Sequence, residues 1–172
     1  LPRAGLVHRI DKDTSGLLVV AKNLAAQHHL SKQLADKSVY RIYDAVVVGH
    51  VIAGGTVDQP IKRHPVERTR MSVQPGGRPS VTHYKVLERF GTHTLVQAQL
   101  EPGRTHQIRV HGLALGHPLV GDDKYGHEVS YGGPAARRLC LHAAMLEIPD
   151  YPLIEAPLPD DIKKLIHLLR LS

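Results

Sequence analysis

The sequence has 172 residues, with no tryptophan, one phenylalanine and one cysteine. Cys140 alone can neither close an internal disulfide nor build a thiolate zinc site, and such economy fits a reducing cytosol, so a cytoplasmic protein is expected. Aromatic residues make up 4%, too few to read many bases by side-chain stacking alone. No apolar run approaches the ~18 residues of a membrane span, and no charged-then-apolar leader opens the chain. No membrane association is therefore expected. The phosphate-cradling patterns G-x-x-x-x-G-K-[ST] and G-x-G-x-x-G are missing, and so is the nucleophile elbow G-x-S-x-G. Thirteen histidines invite a metal. Their spacings (His28-His29, His106 with His111, His8 with Asp11) match no zinc pattern, and no metal is expected.

What is present is ordinary globular usage, 42% hydrophobic and 22% charged, enough for one domain with its own core. The charge is not neutral. Lys and Arg total 22 against 16 Asp and Glu, giving +6 and a pI near 9.6. A polyanion is the natural partner, and nucleic acid leads.

The apolar run at 17–21 suits a short buried strand. Asn23 reads as the N-cap of a helix over 24–36 whose Ala26, Leu30 and Leu34 share a face. A β-branched strand follows over 40–49. Residues 53–80 carry four Pro and four Gly and read as an extended surface excursion with at most a short strand around Met71–Val73. Strands are expected at 81–90 and 94–101, the second covered on one face. A helix is expected from Thr105 to Leu115, stopped by Gly116. Residues 117–138 read as a long loop, 139–148 as a strand, and 162–170 as an amphipathic helix with Ile162, Leu165, Ile166 and Leu169 inward. The fold class is α+β, a mostly antiparallel sheet with flanking helices.

Two clusters are chemically unusual. In His8-Arg9-Ile10-Asp11-Lys12-Asp13-Thr14-Ser15-Gly16, composition alone allows a polar turn capped by glycine. It also allows a carboxylate nucleophile or base held beside Arg9 at the mouth of a sheet. In Gly103 to His111, Arg104 would sit where helix N–H groups attract phosphate, or its Arg and His would be solvated surface residues. A basic stretch adds Lys62, Arg63, Arg68 and Arg70, better suited to phosphate contact than to idle solvation.

These clusters, in this order and with Arg41, Tyr43 and Ala45 between them, resemble the ribosomal large-subunit pseudouridine synthases of the RluA/RluD type. The signature H-R-L-D-x-x-T-S-G is matched from His8 to Gly16 with Ile for Leu, and R-x-Y-x-A by Arg41, Tyr43 and Ala45. G-R-[ST]-H-Q-[IL]-R-V-H is matched in full from Gly103 to His111. G-H-P-[IL]-x-G-D-x-x-Y-G runs from Gly116 to Gly126, and 54–61 and 139–143 are closest to RluD-like members.

The resemblance implies cofactor-free isomerisation of uridine to pseudouridine in a stem-loop of large-subunit ribosomal RNA. Asp11 would be the catalytic carboxylate, acting at ribose C1′ or uracil C6 or by assisting glycosidic cleavage. Arg109 would be its basic partner, with a bidentate fork holding both carboxylate oxygens. Tyr43 would lie against the uracil and help move the C5 proton. The nucleotide must leave its stack, and Arg9 would fill the gap. Arg41, Arg104, His106, Lys62, Arg63, Arg68 and Arg70 would bind the RNA. Asp13 occupies a variable position and receives no chemistry. Such enzymes usually carry some tens of residues ahead of the first motif, and RluD-like ones an S4-type RNA-binding domain. Residues 1–172 therefore read as a monomeric catalytic domain lacking both. The competing expectation is a non-catalytic RNA-binding module on the same fold. A metal hydrolase using His and Asp is a weaker third.

Overall fold

A computed structural model of the chain describes residues 1–101, 103–126, 136 and 138–172. Its strands are β1 (Ser15–Gly16), β2 (Tyr40–Val48), β3 (Gly55–Asp58), β4 (Ile61–Arg63), β5 (Met71–Val73), β6 (Val81–Arg89), β7 (His93–Glu101), β8 (Leu141–Glu147) and β9 (Ile154–Glu155). The helices are α1 (Leu24–Ala35), α2 (Gln107–Ala114) and α3 (Asp160–Leu171). The main sheet runs β1-β8-β2-β7-β6-β3 with β9 on β8, and β4 pairs with β5 in a separate hairpin. Only the short β1–β8 pairing is parallel among the described strands. The expected α+β class with a mostly antiparallel sheet is what forms.

The Val-rich β2 occupies the centre because both of its faces are covered, as a near-continuous apolar run requires. On one face Tyr43, Ala45 and Val47 pack with Val96, Ala98, Leu141 and Ile108 of α2. On the other, Val46 and Val48 meet Leu95, Cys140 and the inward stripe of α3, Ile162, Leu165, Ile166 and Leu169. Each of those four helix side chains contributes about 1.5–3 kcal/mol by leaving water. Asp160 and Asp161 stand in the first turn of α3 and Arg170 in its last, as the macrodipole favours. The third apolar cluster joins Ile61 of β4 to Val110 of α2 and to Tyr125, so the small hairpin is docked on α2.

Several expectations need correcting. The run 17–21 is not a buried strand: Leu18 and Val20 are exposed and only Ala21 is buried. It borders the sheet, tied by Leu17 N–H to the Ala143 carbonyl and by an isolated Leu6–Val20 bridge. The excursion 53–80 contains three short strands rather than one, and it buries Val57, Ile61 and Ser80. Strand β7 is covered on both faces over its first half, since Leu95 and Val96 enter opposite cores. Helix α2 starts at Gln107 rather than Thr105, because His106 adopts a left-handed φ of 55°. The supposed loop 117–138 lies partly outside the described residues, and its described start is interior, with Leu119, Val120, Asp122 and Tyr125 buried. Helix α1 is capped as expected, Asn23 Oδ1 accepting the Ala26 N–H at 2.8 Å. Its Ala26, Leu30 and Leu34 are half-buried, and its buried residues are Gln33 and Gln27, the latter donating to the carbonyls of Pro2 and Leu6.

Candidate active site

Asp11 is carried on the loop between the N-terminal turn and β1. The loop is pinned to the sheet edge at its far end. Ser15 Oγ lies 2.8 Å from His142 Nδ1, Arg138 donates to the Asp13 carbonyl, and the Thr14 N–H closes a turn on the Asp11 carbonyl. Gly16 is required there. Its φ is +105°, and a Cβ would come within 2.1 Å of the Ala143 carbonyl oxygen. Strand β2 brings Arg41 and Tyr43 to the same side by its period of two. A register shift between β2 and β8 falls between Ile42 and Tyr43. Such irregularities re-aim side chains beside functional sites.

Around them opens a cleft of about 360 Å³ whose walls include Asp11, Tyr43, Arg9, Arg41 and Arg104, and also Arg3 and His8. That volume is in the range of small-molecule sites, roughly 300–1,000 Å³. Four guanidinium groups and one carboxylate around a single opening favour an anionic ligand. Burial raises the Tyr43 phenol above its ordinary pKa against the nearby Arg41 charge, so it enters the site protonated. His8 is buried, and desolvation together with Arg41 lowers it to about 4. Its Nε2 accepts the Val19 N–H at 2.9 Å, which leaves the proton on Nδ1.

Arg109 approaches Asp11 from α2, with Nη1 3.6 Å from Asp11 Oδ2. The expected fork on Asp11 is not what forms. Both prongs go to Asp122, Nε to Oδ2 and Nη2 to Oδ1, each at 2.8 Å. Burial disfavours the Arg109 charge, but the hydrogen bonds and charge of Asp122, with Asp11 behind them, hold its pKa above the ordinary value. The Arg109 Cζ lies 5.0 Å from the Tyr125 ring centroid, and the Arg70 Cζ lies 5.1 Å from it. The Tyr125 hydroxyl accepts the Met71 N–H at 2.9 Å and is hydrogen-bonded to His106 Nδ1 at 2.7 Å. Burial lowers the His106 pKa, with opposing effects from Asp11 and Arg109.

The structure therefore brings Asp11, Tyr43, Arg109, Arg9, Arg41 and Arg104 together. Two expected RNA contacts are placed differently. Arg70 is largely covered, bonds Glu67 at 3.1 Å and stacks on Tyr125, so it braces the hairpin instead of facing solvent. His106 turns to Tyr125 and lies outside the cleft lining. Lys62, Arg63 and Arg68 are exposed on the hairpin and the loop that closes it. Sequence reasoning missed Asp122, Tyr125, Gln107 and Arg3. Asp122 and Tyr125 stood inside a quoted motif, and the D-x-x-Y spacing is the signal, because Asp122 Oδ1 accepts the N–H groups of Lys124 and Tyr125. Gln107 fixes the loop before α2, accepting the Arg104 N–H and donating to Val81 and Thr82.

A family model for RNA pseudouridylate synthase matches residues 1–114, two thirds of the chain and nearly every cleft residue named above. The chain belongs to that family. It is 48% identical over 186 aligned residues to Ribosomal large subunit pseudouridine synthase D of Escherichia coli, covering 99% of this chain and 57% of that relative. To the protein of the same name from Nitrosomonas europaea it is 50% identical over 181 residues, covering 99% and 52%. The chain thus spans little more than half the length of these relatives. Among solved structures, Human RNA Pseudouridylate Synthase Domain Containing 1 superposes with a TM-score of 0.75 at 30% identity, over 97% of this chain and 80% of that one. Human RNA Pseudouridylate Synthase Domain Containing 4 gives 0.80 at 26% identity, over 96% and 75%. No helix among the described residues is long and apolar enough to cross a membrane.

Proposed function

We propose that this pseudouridylate synthase chain is a catalytic domain that isomerises specific uridines in large-subunit ribosomal RNA, acting as a cytoplasmic monomer. The observation that carries the reading is the placement of Asp11, 3.6 Å from a buried guanidinium, on the wall of an arginine-lined cleft that also holds the Tyr43 phenol. A carboxylate with a fixed cationic neighbour and open space in front can act on a nucleoside brought to it.

The target uridine leaves its stack and enters the cleft, at a cost of a few kcal/mol. Arg9 occupies the space vacated in the RNA, and Arg41 and Arg104 hold flanking phosphates. Lys62, Arg63 and Arg68 extend the phosphate track along the hairpin. Asp11 acts at C1′ or C6, or assists departure of the base. In each route the N1–C1′ bond breaks, the uracil turns, and a C5–C1′ bond forms. The C5 proton is lost with Tyr43 against the ring, and N1 gains a proton. Atoms and electrons balance within the nucleoside, so the isomerisation draws on no redox or group-carrying cofactor.

The test is tritium release from ribosomal RNA stem-loops carrying 5-tritiated uridine. Asp11→Asn is expected to abolish release while RNA binding persists. Full release by that variant removes Asp11 from the mechanism. Salt-sensitive binding by the wild-type protein with no release at all selects the alternative, a binding module on the same fold.

A further inference from the structure

We propose that Asp122 is a positioning residue for this reaction, holding Arg109 so that Asp11 is steadied by one guanidinium nitrogen but not saturated with hydrogen bonds. The inference rests on the isomerase reading above and deepens it. Arg109 is planar, with donors on a rigid fork. Asp122 takes the fork along the Nε–Nη2 edge, with both contacts at 2.8 Å. Only Nη1 is left to face Asp11, at 3.6 Å.

Asp122 is itself immobilised. Its side chain is wholly buried, and Oδ1 accepts two further N–H groups, from Lys124 and Tyr125, at 3.0 Å each. The Tyr125 ring lies against the guanidinium and so restrains its plane. A rigid line therefore runs from the turn at 122–126 through Asp122 and Arg109 to Asp11. If the fork closed on Asp11 instead, both of its oxygens would be occupied, and a carboxylate so held attacks poorly. Exposed Asp123, 3.8 Å from Nη2, cannot substitute, because solvent screens it and no hydrogen bond from the described residues fixes its carboxylate.

The experiment is single-turnover tritium release with the intact protein in excess over a 5-tritiated ribosomal stem-loop, beside a direct measurement of RNA affinity. With enzyme saturating, a partly unfolded population changes how much enzyme binds, not the first-order constant. Asp122→Asn is expected to lower that constant about 100-fold, the scale of a ~1 Å misplacement, with RNA affinity within about twofold of wild type. Asp122→Glu, which keeps the charge and both oxygens, is expected to recover part of the rate and is read alone if the Asn variant does not fold. In an Arg109→Lys background, which has no fork to hold, either change is expected to cost nothing further. A folded Asp122→Asn protein with the wild-type constant overturns the role of Asp122, as does a full additive loss from either change in the Lys background. A wild-type protein that releases no tritium overturns the isomerase reading, and this inference with it.

Discussion

The Arg41 guanidinium rests on Gly103, so closely that a Cβ on the glycine would lie 2.7 Å from Nη1 and 2.8 Å from Nη2. Gly103 thus gives the arginine its place in the cleft. In Gly103→Ala the flexible guanidinium must move, while the backbone there keeps a conformation open to alanine. Stability is expected to change by less than about 1 kcal/mol, and RNA affinity to fall several-fold through loss of one phosphate contact. Urea unfolding and the salt dependence of RNA binding check this together. An unchanged salt slope would remove Arg41 from the phosphate track.

Arg109 and Asp11 are neighbours whose variants are expected to share a loss of rate and to differ in stability. Arg109→Ala leaves the Asp122 carboxylate buried without a counter-charge, a loss of about 3–5 kcal/mol. It also removes the cation beside Asp11, so the single-turnover rate falls at saturating RNA. Asp11→Asn breaks one 3.6 Å contact at a more open side chain. It is expected to unfold within about 1 kcal/mol of wild type while losing all turnover. Denaturation curves paired with tritium release separate a residue that supports the fold from one that serves only the chemistry.

The outline was legible wherever local pattern and tertiary demand agreed. The inward stripe of α3 and the β-branched centre of β2 carry their burial in their spacing, and the exposed Asn23 cap is local to its own turn. The motif from His8 to Gly16 allowed a carboxylate at the mouth of a sheet, and Gly16, at φ +105°, leads that polar turn onto β8. What stayed hidden depends on partners distant in sequence. Arg109 offers one fork, and spacing does not say which of two carboxylates takes it. Arg70 looked like its exposed basic neighbours, yet the Tyr125 ring, 55 positions later, covers it. The short strands β3 and β4 were masked by Pro and Gly, which mark their turns more strongly than three or four residues mark a strand.

Tyr125 joins the basic hairpin to the active site, and its hydroxyl is the joint. Tyr125→Phe keeps the ring against Arg109 and Arg70 but strands the Met71 N–H and His106 Nδ1. The expected cost is about 1–3 kcal/mol, concentrated in the hairpin. Hydrogen exchange at the Met71 amide should accelerate markedly while amides in β2 and β7 exchange as before. Uniform acceleration across the sheet would show that the hydroxyl supports the whole fold and not the hairpin.

His8 makes stability depend on pH in a defined direction. In the unfolded chain it titrates near 6.5; in the folded protein burial and the Arg41 charge move it down to about 4. Above pH 6.5 it is neutral in both states and costs nothing. As pH falls through 6.5, the unfolded chain gains a proton that the folded protein refuses, so stability drains away until about pH 4. The total from this one group is roughly 3 kcal/mol. His93, His106 and His111, also lowered by burial, act in the same sense. Urea unfolding at pH 7.5, 6 and 4.5 should give a falling series. His8→Gln, which keeps an acceptor for the Val19 N–H but cannot titrate, should flatten it by a comparable amount. An equally steep series in that variant would place the acid sensitivity in the other histidines.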